Sequence, residues 1–196
     1  MSTVQNEHMI LRRSAIALTT MSAILVLSSC ASPSASDGVT SGTSSTNAGF
    51  SASDVMFAQM MIPHHQQAVD MSAMAETRST NPEVLALAKQ ISAAQKPEIE
   101  QMQGWLTRAG ASMDMGHEMH MDGMLSDDQM SKLAAASGTA FDRQFLEGMI
   151  SHHEGAIAMA RMIIDSSNAE AAKLGSAIVN SQTAEIADMK KLLARL

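Results

Sequence analysis

A chain that writes the same segment twice has few folds open to it. Met61-Ile62-Pro63-His64-His65-Gln66-Gln67-Ala68-Val69-Asp70-Met71 returns as Met149-Ile150-Ser151-His152-His153-Glu154-Gly155-Ala156-Ile157-Ala158-Met159, 88 positions later. Asp54 and Asp142, Phe57 and Phe145, and Met74 and Met162 keep the same spacing. Further on, Gln95-x-x-Glu98-Ile99-x-x-Met102 returns as Gln182-x-x-Glu185-Ile186-x-x-Met189, shifted by one. A repeat of this kind is usually one supersecondary unit that cannot cover its own apolar face. Two copies are too few for a solenoid, so two hairpins closing on each other are expected.

The hairpins should be helical. Aromatic residues make up 3% of the chain, and its 45% hydrophobic content comes mainly from Ala, Leu, Ile and Met. Ala, Leu and Met favour helices, whereas strands draw on β-branched and aromatic side chains. Helix one is expected from about Ser53 to Thr77. At about 100° per residue, Met61, Ala68 and Ala75 share an inward stripe with a histidine on each flank. Pro63 lies inside it and should kink it. Asn81-Pro82-Glu83 starts helix two with a cap, a proline at the first helical position and an acid in the first turn. Gly110 ends it, and Pro97 should bend it. Gln95, Glu98 and Met102 fall on the side of Ile91 and Ile99, so a glutamine and a glutamate point inward. Ser126-Asp127-Asp128-Gln129 is a capping box opening a short helix that fades by Gly138. Helix three, about 140–165, repeats helix one. Helix four, about 169–195, repeats helix two. The fold class is therefore all-α: a four-helix bundle with a Met/His-rich crossover. Its domain spans 51–196, with repeat one at 51–109, the loop and short helix at 110–138, and repeat two at 139–196.

The N-terminus reads as a targeting signal over 1–29. Arg12 and Arg13 precede an apolar run from Ala15 to Leu27, short for a membrane span. It ends Leu27-Ser28-Ser29-Cys30, which resembles a bacterial lipobox. Cys30 is then the lipidated residue, at the outer face of the cell envelope, and the alternative is an ordinary signal peptide with an incidental cysteine. Residues 30–50, rich in Ser, Gly and Thr, read as a flexible tether.

Two groups of residues carry chemistry. The first is the pair of repeated histidine motifs: His64 and His65 with Met61 and Met71, and His152 and His153 with Met149 and Met159. Adjacent histidines on a helix diverge by about 100°, so each needs partners from another element. His64 and His152 are each expected to face an inward carboxylate, with Glu98, Met102, Glu185 and Met189 as additional or outer ligands. The alternative is buried His–Glu pairs that only fix the packing. The second group is the loop at 111–124, with Met113, Met115, His117, Met119, His120, Met121 and Met124 interleaved with acids and Gly. No helical or strand period explains it, and exposed Met is unfavourable unless used. Thioethers are soft donors that select Cu(I), imidazole also suits Cu(II), and Ag(I) mimics Cu(I). The alternative is an adaptable Met-rich protein-binding surface. Loop and histidine pairs are expected to be separate sites, the loop disordered when empty.

The repeated Asp-x-x-Phe-x-x-x-Met-Ile-x-His-His-x-x-Ala, with Gln-x-x-Glu-Ile-x-x-Met after each copy, resembles the bacterial domain-of-unknown-function family three-zero-five over about residues 50–196. The resemblance implies a ferritin-like helical fold, an exported or lipid-anchored location, and copper binding and tolerance. It places the family's Met-x-x-His-His and downstream methionines on Met61, His64, His65, Met71 and Met102, and on Met149, His152, His153, Met159 and Met189.

The expected function is that of a lipoprotein that captures, buffers or hands over copper, with Cu(I) favoured over Cu(II) or Ag(I). Its partners are metal ions, the membrane, and a copper exporter or another copper protein. The net charge of −7 leaves no footprint for nucleic acid. A ferritin-like di-iron oxidase is the enzymatic alternative. It uses Glu-x-x-His motifs, and no Glu in this chain has a His three positions later. A blue-copper centre needs a Cys ligand, and the only Cys is the expected anchor. A Met-rich module docking a membrane partner is the third reading.

Overall fold

A computed structural model describes residues 49–115 and 121–196. Every regular element among them is helical: α1 (Ala52–Arg78), α2 (Pro82–Ala109), α3 (Asp127–Ala135), α4 (Gly138–Ala160) and α5 (Ala169–Leu193). The four long helices form the bundle and α3 lies in the crossover. The targeting segment, Cys30, most of the tether and His117, Met119 and His120 lie outside the described residues. No described helix is long and apolar enough to cross a membrane.

The starts and stops have local causes. Ser51 and Asp54 close a capping box on α1. Asn81 accepts from the Glu83 and Val84 amides, and Gly110 ends α2 in the left-handed region at φ 63°. Ser126 and Gln129 form the expected box on α3. Both α1 and α2 run through their internal prolines without a break. Pro63 and Pro97 are exposed, so the carbonyl each leaves without a helical donor can turn to water.

One boundary differs from expectation. The α4 helix stops at Ala160, and 161–165 is a series of tight turns, with Met162 N bonding to Met159 O and Ile163 N to Ala160 O. The turn folds Ile163 fully inside. It packs beside Gly175 of α5, where a Cβ would come within 2.9 Å of both Ala160 O and Ile163 Cγ1. Burying the isoleucine there replaces the last helical turn.

The core divides into two apolar layers. One holds Met61, Met102 and Met159 with Phe57, Trp105 and Leu106. The other holds Met71, Met149 and Met189 with Phe141, Phe145 and Leu146. The repeat offset converts one trio of methionines into the other: 61 to 149, 102 to 189, and 159 back to 71. The bundle therefore has an internal two-fold relation, and each trio draws one residue from the opposite repeat. Between the trios lies a polar layer.

Candidate metal centre

The polar layer follows from spacing. His64 and His65 sit one turn after Met61, and His152 and His153 one turn after Met149, so each pair enters the bundle between the methionine layers. All four rings are completely buried. Across the two-fold, His64 and His152 lie ring against ring, with centroids 3.8 Å apart and planes tilted by 40°.

The outer histidine of each pair meets a carboxylate. His65 Nε2 is 2.8 Å from Glu98 Oε2, and His153 Nε2 is 2.8 Å from Glu185 Oε2. This corrects the expectation that His64 and His152 face the carboxylates: the 100° step between neighbours turns His65 and His153 toward the hairpin partner and leaves His64 and His152 facing each other. A carboxylate accepts, so Nε2–H donates in both pairs, and in a neutral ring Nδ1 carries the lone pair. The same tautomer follows at His64, whose Nε2 lies 3.3 Å from the Asp122 carbonyl.

The polar layer is short of partners. Among the described residues, Nδ1 of His64, His65 and His153 is buried without a hydrogen bond, and His152 has none to a side chain. Both amide atoms of Gln95 and Oε1 of Gln182 are likewise buried without one. Each unpaired buried polar group costs about 1–3 kcal/mol, so the centre has unused donor capacity. Burial, with help from the neighbouring His65, pushes His64 down to about 3, the Asp122 carbonyl opposing. Burial and the facing His64 hold His152 well below its usual value. Both imidazoles are neutral at pH 7, the form that binds metal. Among the described residues no three His, Cys, Asp or Glu side chains form a metal-holding group. Met61 and Met149 precede the two pairs by one helical turn and are fully buried with them.

The crossover loop is joined to this layer. Gln67 donates through Nε2 to Leu125 O at 2.9 Å and accepts through Oε1 from Leu125 N at 2.8 Å. Gly155 admits the loop so closely that a Cβ there would sit 1.9 Å from Asp122 O. Met115 and Met121 pack against the layer of Met61, Met102 and Met159. The end of the loop is therefore docked over His64. Met113 stays out in solvent, 48% exposed, and Met124 lines a cavity of about 380 Å³ between the loop, α3 and α4. Sequence reasoning missed Gln67, Gly123, Gly155 and the Asp122 carbonyl. The one trace was the mismatch of Gln67 and Gly155 at equivalent repeat positions.

The family profile described as Domain of unknown function (DUF305) matches residues 54–193. The DUF305 protein of Streptomyces coelicolor is 33% identical, over 73% of this chain and 93% of that one, with a TM-score of 0.70. A DUF305 fragment from Deinococcus radiodurans is 34% identical, over 74% and 98%, with a TM-score of 0.69. CopM in its Cu(I)-bound form is 34% identical, over 72% and 96%, with a TM-score of 0.62; it also has Cu(II)-bound and Ag-bound forms. No curated protein sequence matches the chain significantly.

Proposed function

The chain belongs to the DUF305 family, and from that premise we propose that it binds copper as cargo outside the cytoplasm, taking up and releasing Cu(I) rather than catalysing a reaction. The observation that carries this reading is the set of buried Nδ1 atoms that have no hydrogen-bond partner among the described residues, in a bundle whose two apolar layers each hold a trio of thioethers. Neutral imidazole and thioether together suit Cu(I) and Ag(I). Glu98 and Glu185 then act behind the ligands. Each accepts the Nε2 proton of its histidine, fixes the ring and raises the basicity of Nδ1, as carboxylates do behind metal-bound histidines. The copper- and silver-bound forms of CopM support the same ion class.

Burial from water and an exposed collecting surface suit an ion carrier. Met113 supplies a soft group at the surface, where an ion or a copper-exporting partner makes first contact. Arg12, Arg13, the apolar run and Cys30 support export and lipid attachment, and Cys30→Ser should release the protein from membranes.

The test is metal analysis of the purified protein after titration with Cu(I), Cu(II), Ag(I) and Zn(II), with competition by a chelator. Cu(I) and Ag(I) should be retained well above Zn(II), and His65→Ala with His153→Ala should lose the tightly held fraction. Equal retention of Zn(II), or tight Cu(I) binding unchanged in the double variant, would remove the histidine centre from the reading.

A further inference from the structure

All four histidines are closed off, so an ion reaches them only if some element moves. The helices are held by two packed layers. The segment Asp122–Leu125 is held differently. Gln67 grips it from α1 through both amide atoms. Gly155 receives it on α4 against bare backbone, since a Cβ would strike Asp122 O at 1.9 Å and Asp122 C at 2.6 Å. Gly123 makes the turn at φ 87°, where a Cβ would meet Ser151 O at 2.5 Å. Leu125 lies over Gly148, at 3.2 Å from where a Cβ would be, and Met71 Cε crowds the same point at 3.3 Å. Gln67 and Gly155 occupy the same repeat position on the two related helices. One provides the grip and the other the space.

The segment also does for His64 what the glutamates do for the outer histidines. Asp122 O lies against His64 Nε2 as Glu98 lies against His65 and Glu185 against His153. Among the described residues no carboxylate or loop carbonyl does this for His152, which meets only the backbone of His64. We infer that Asp122–Leu125 is a strap that seals the histidine centre and orients His64, so that lifting it sets the rate at which an ion enters or leaves. Gln67 and Gly155 are positioning residues for this gate. The inference rests on the reading of the histidines as ligands. The strap runs directly on from Met121, which packs against the layer of Met61, Met102 and Met159, so the gate joins the loop thioethers to the centre.

The experiment uses the full-length protein loaded with Cu(I) and mixed with excess bicinchoninate, following exchange in time. Gly155→Ala drives the strap off by collision, and Gln67→Ala removes its two hydrogen bonds. Gln66→Ala is the control, an exposed neighbour whose amide bonds to Asp70. Both strap variants should exchange roughly tenfold faster or more, with the same number of ions bound and the same helicity, and the control should match the wild type. Should Gly155→Ala fail to fold, Gln67→Ala decides alone. Unchanged exchange in Gln67→Ala, or equal acceleration in the control, overturns the strap while leaving the histidine centre standing. A wild-type protein that retains no chelator-resistant Cu(I) overturns both.

Discussion

The two halves of the bundle share a spacing and differ in how they are covered. Repeat one offers Gln67 and repeat two Gly155 at the same position, and the crossover settles between them. As a result His64 has the Asp122 carbonyl, while His152 has no loop group against it among the described residues and meets the backbone of His64 instead. The outer pairs differ too. Glu98 is 19% exposed and bonds to His65, whereas Glu185 is 9% exposed and accepts from both His153 and Gln90. The duplicated part sets where the donors stand. The unduplicated part decides which of them are free and which are reachable.

The largest effect expected is on acid stability. His64 and His152 have an ordinary value of 6.5, lowered on folding. Below 6.5 the unfolded chain takes up protons that the folded, metal-free protein refuses, down to about 3 for His64. Stability therefore falls as pH falls through this window, by about 1.4 kcal/mol per pH unit for each such proton, and it is fully present above 6.5. Denaturant titrations from pH 7 to 4 should show the loss, and His64→Gln or His152→Gln should each reduce the slope by one proton's share. A slope unchanged in both variants would place the protons elsewhere.

Next come the methionine layers. Met61 and Met149 are equivalent and fully buried, so replacing either by Ala should cost about 2–5 kcal/mol. Equal costs in urea unfolding would show that the halves are equivalent in packing, and a large inequality would break that part of the comparison. Smaller and unequal effects are expected at the carboxylates. Glu98→Gln and Glu185→Gln weaken charge-assisted bonds of about 1.5–3 kcal/mol. Glu185→Gln should cost more, because Glu185 is the more buried and has two partners. The smallest change belongs to Met113→Leu, which should stay within about 0.5 kcal/mol of wild type in stability while lowering the number of weakly held Cu(I) ions seen by equilibrium dialysis.

The sequence by itself determined the scaffold. Caps at Asn81 and Ser126, the stop at Gly110 and the spacing of Met61, Ala68 and Ala75 are local signals, legible because helix starts, stops and faces depend on residues only a few positions apart. The repeat added that two hairpins must cover each other, and the Gln-x-x-Glu motif correctly placed Gln95 and Glu98, Gln182 and Glu185 on the inner side. It did not say which histidine meets which glutamate. That choice depends on the relative rotation of two helices, and the packing turned His65 and His153 toward the carboxylates. Nor could it show that residues 58 positions apart, Gln67 and Leu125, would lock together, or that Gly155 is a socket rather than a weak point in α4. Those facts arise where the loop, which has no period of its own, comes to rest on surfaces that exist only after the bundle has closed.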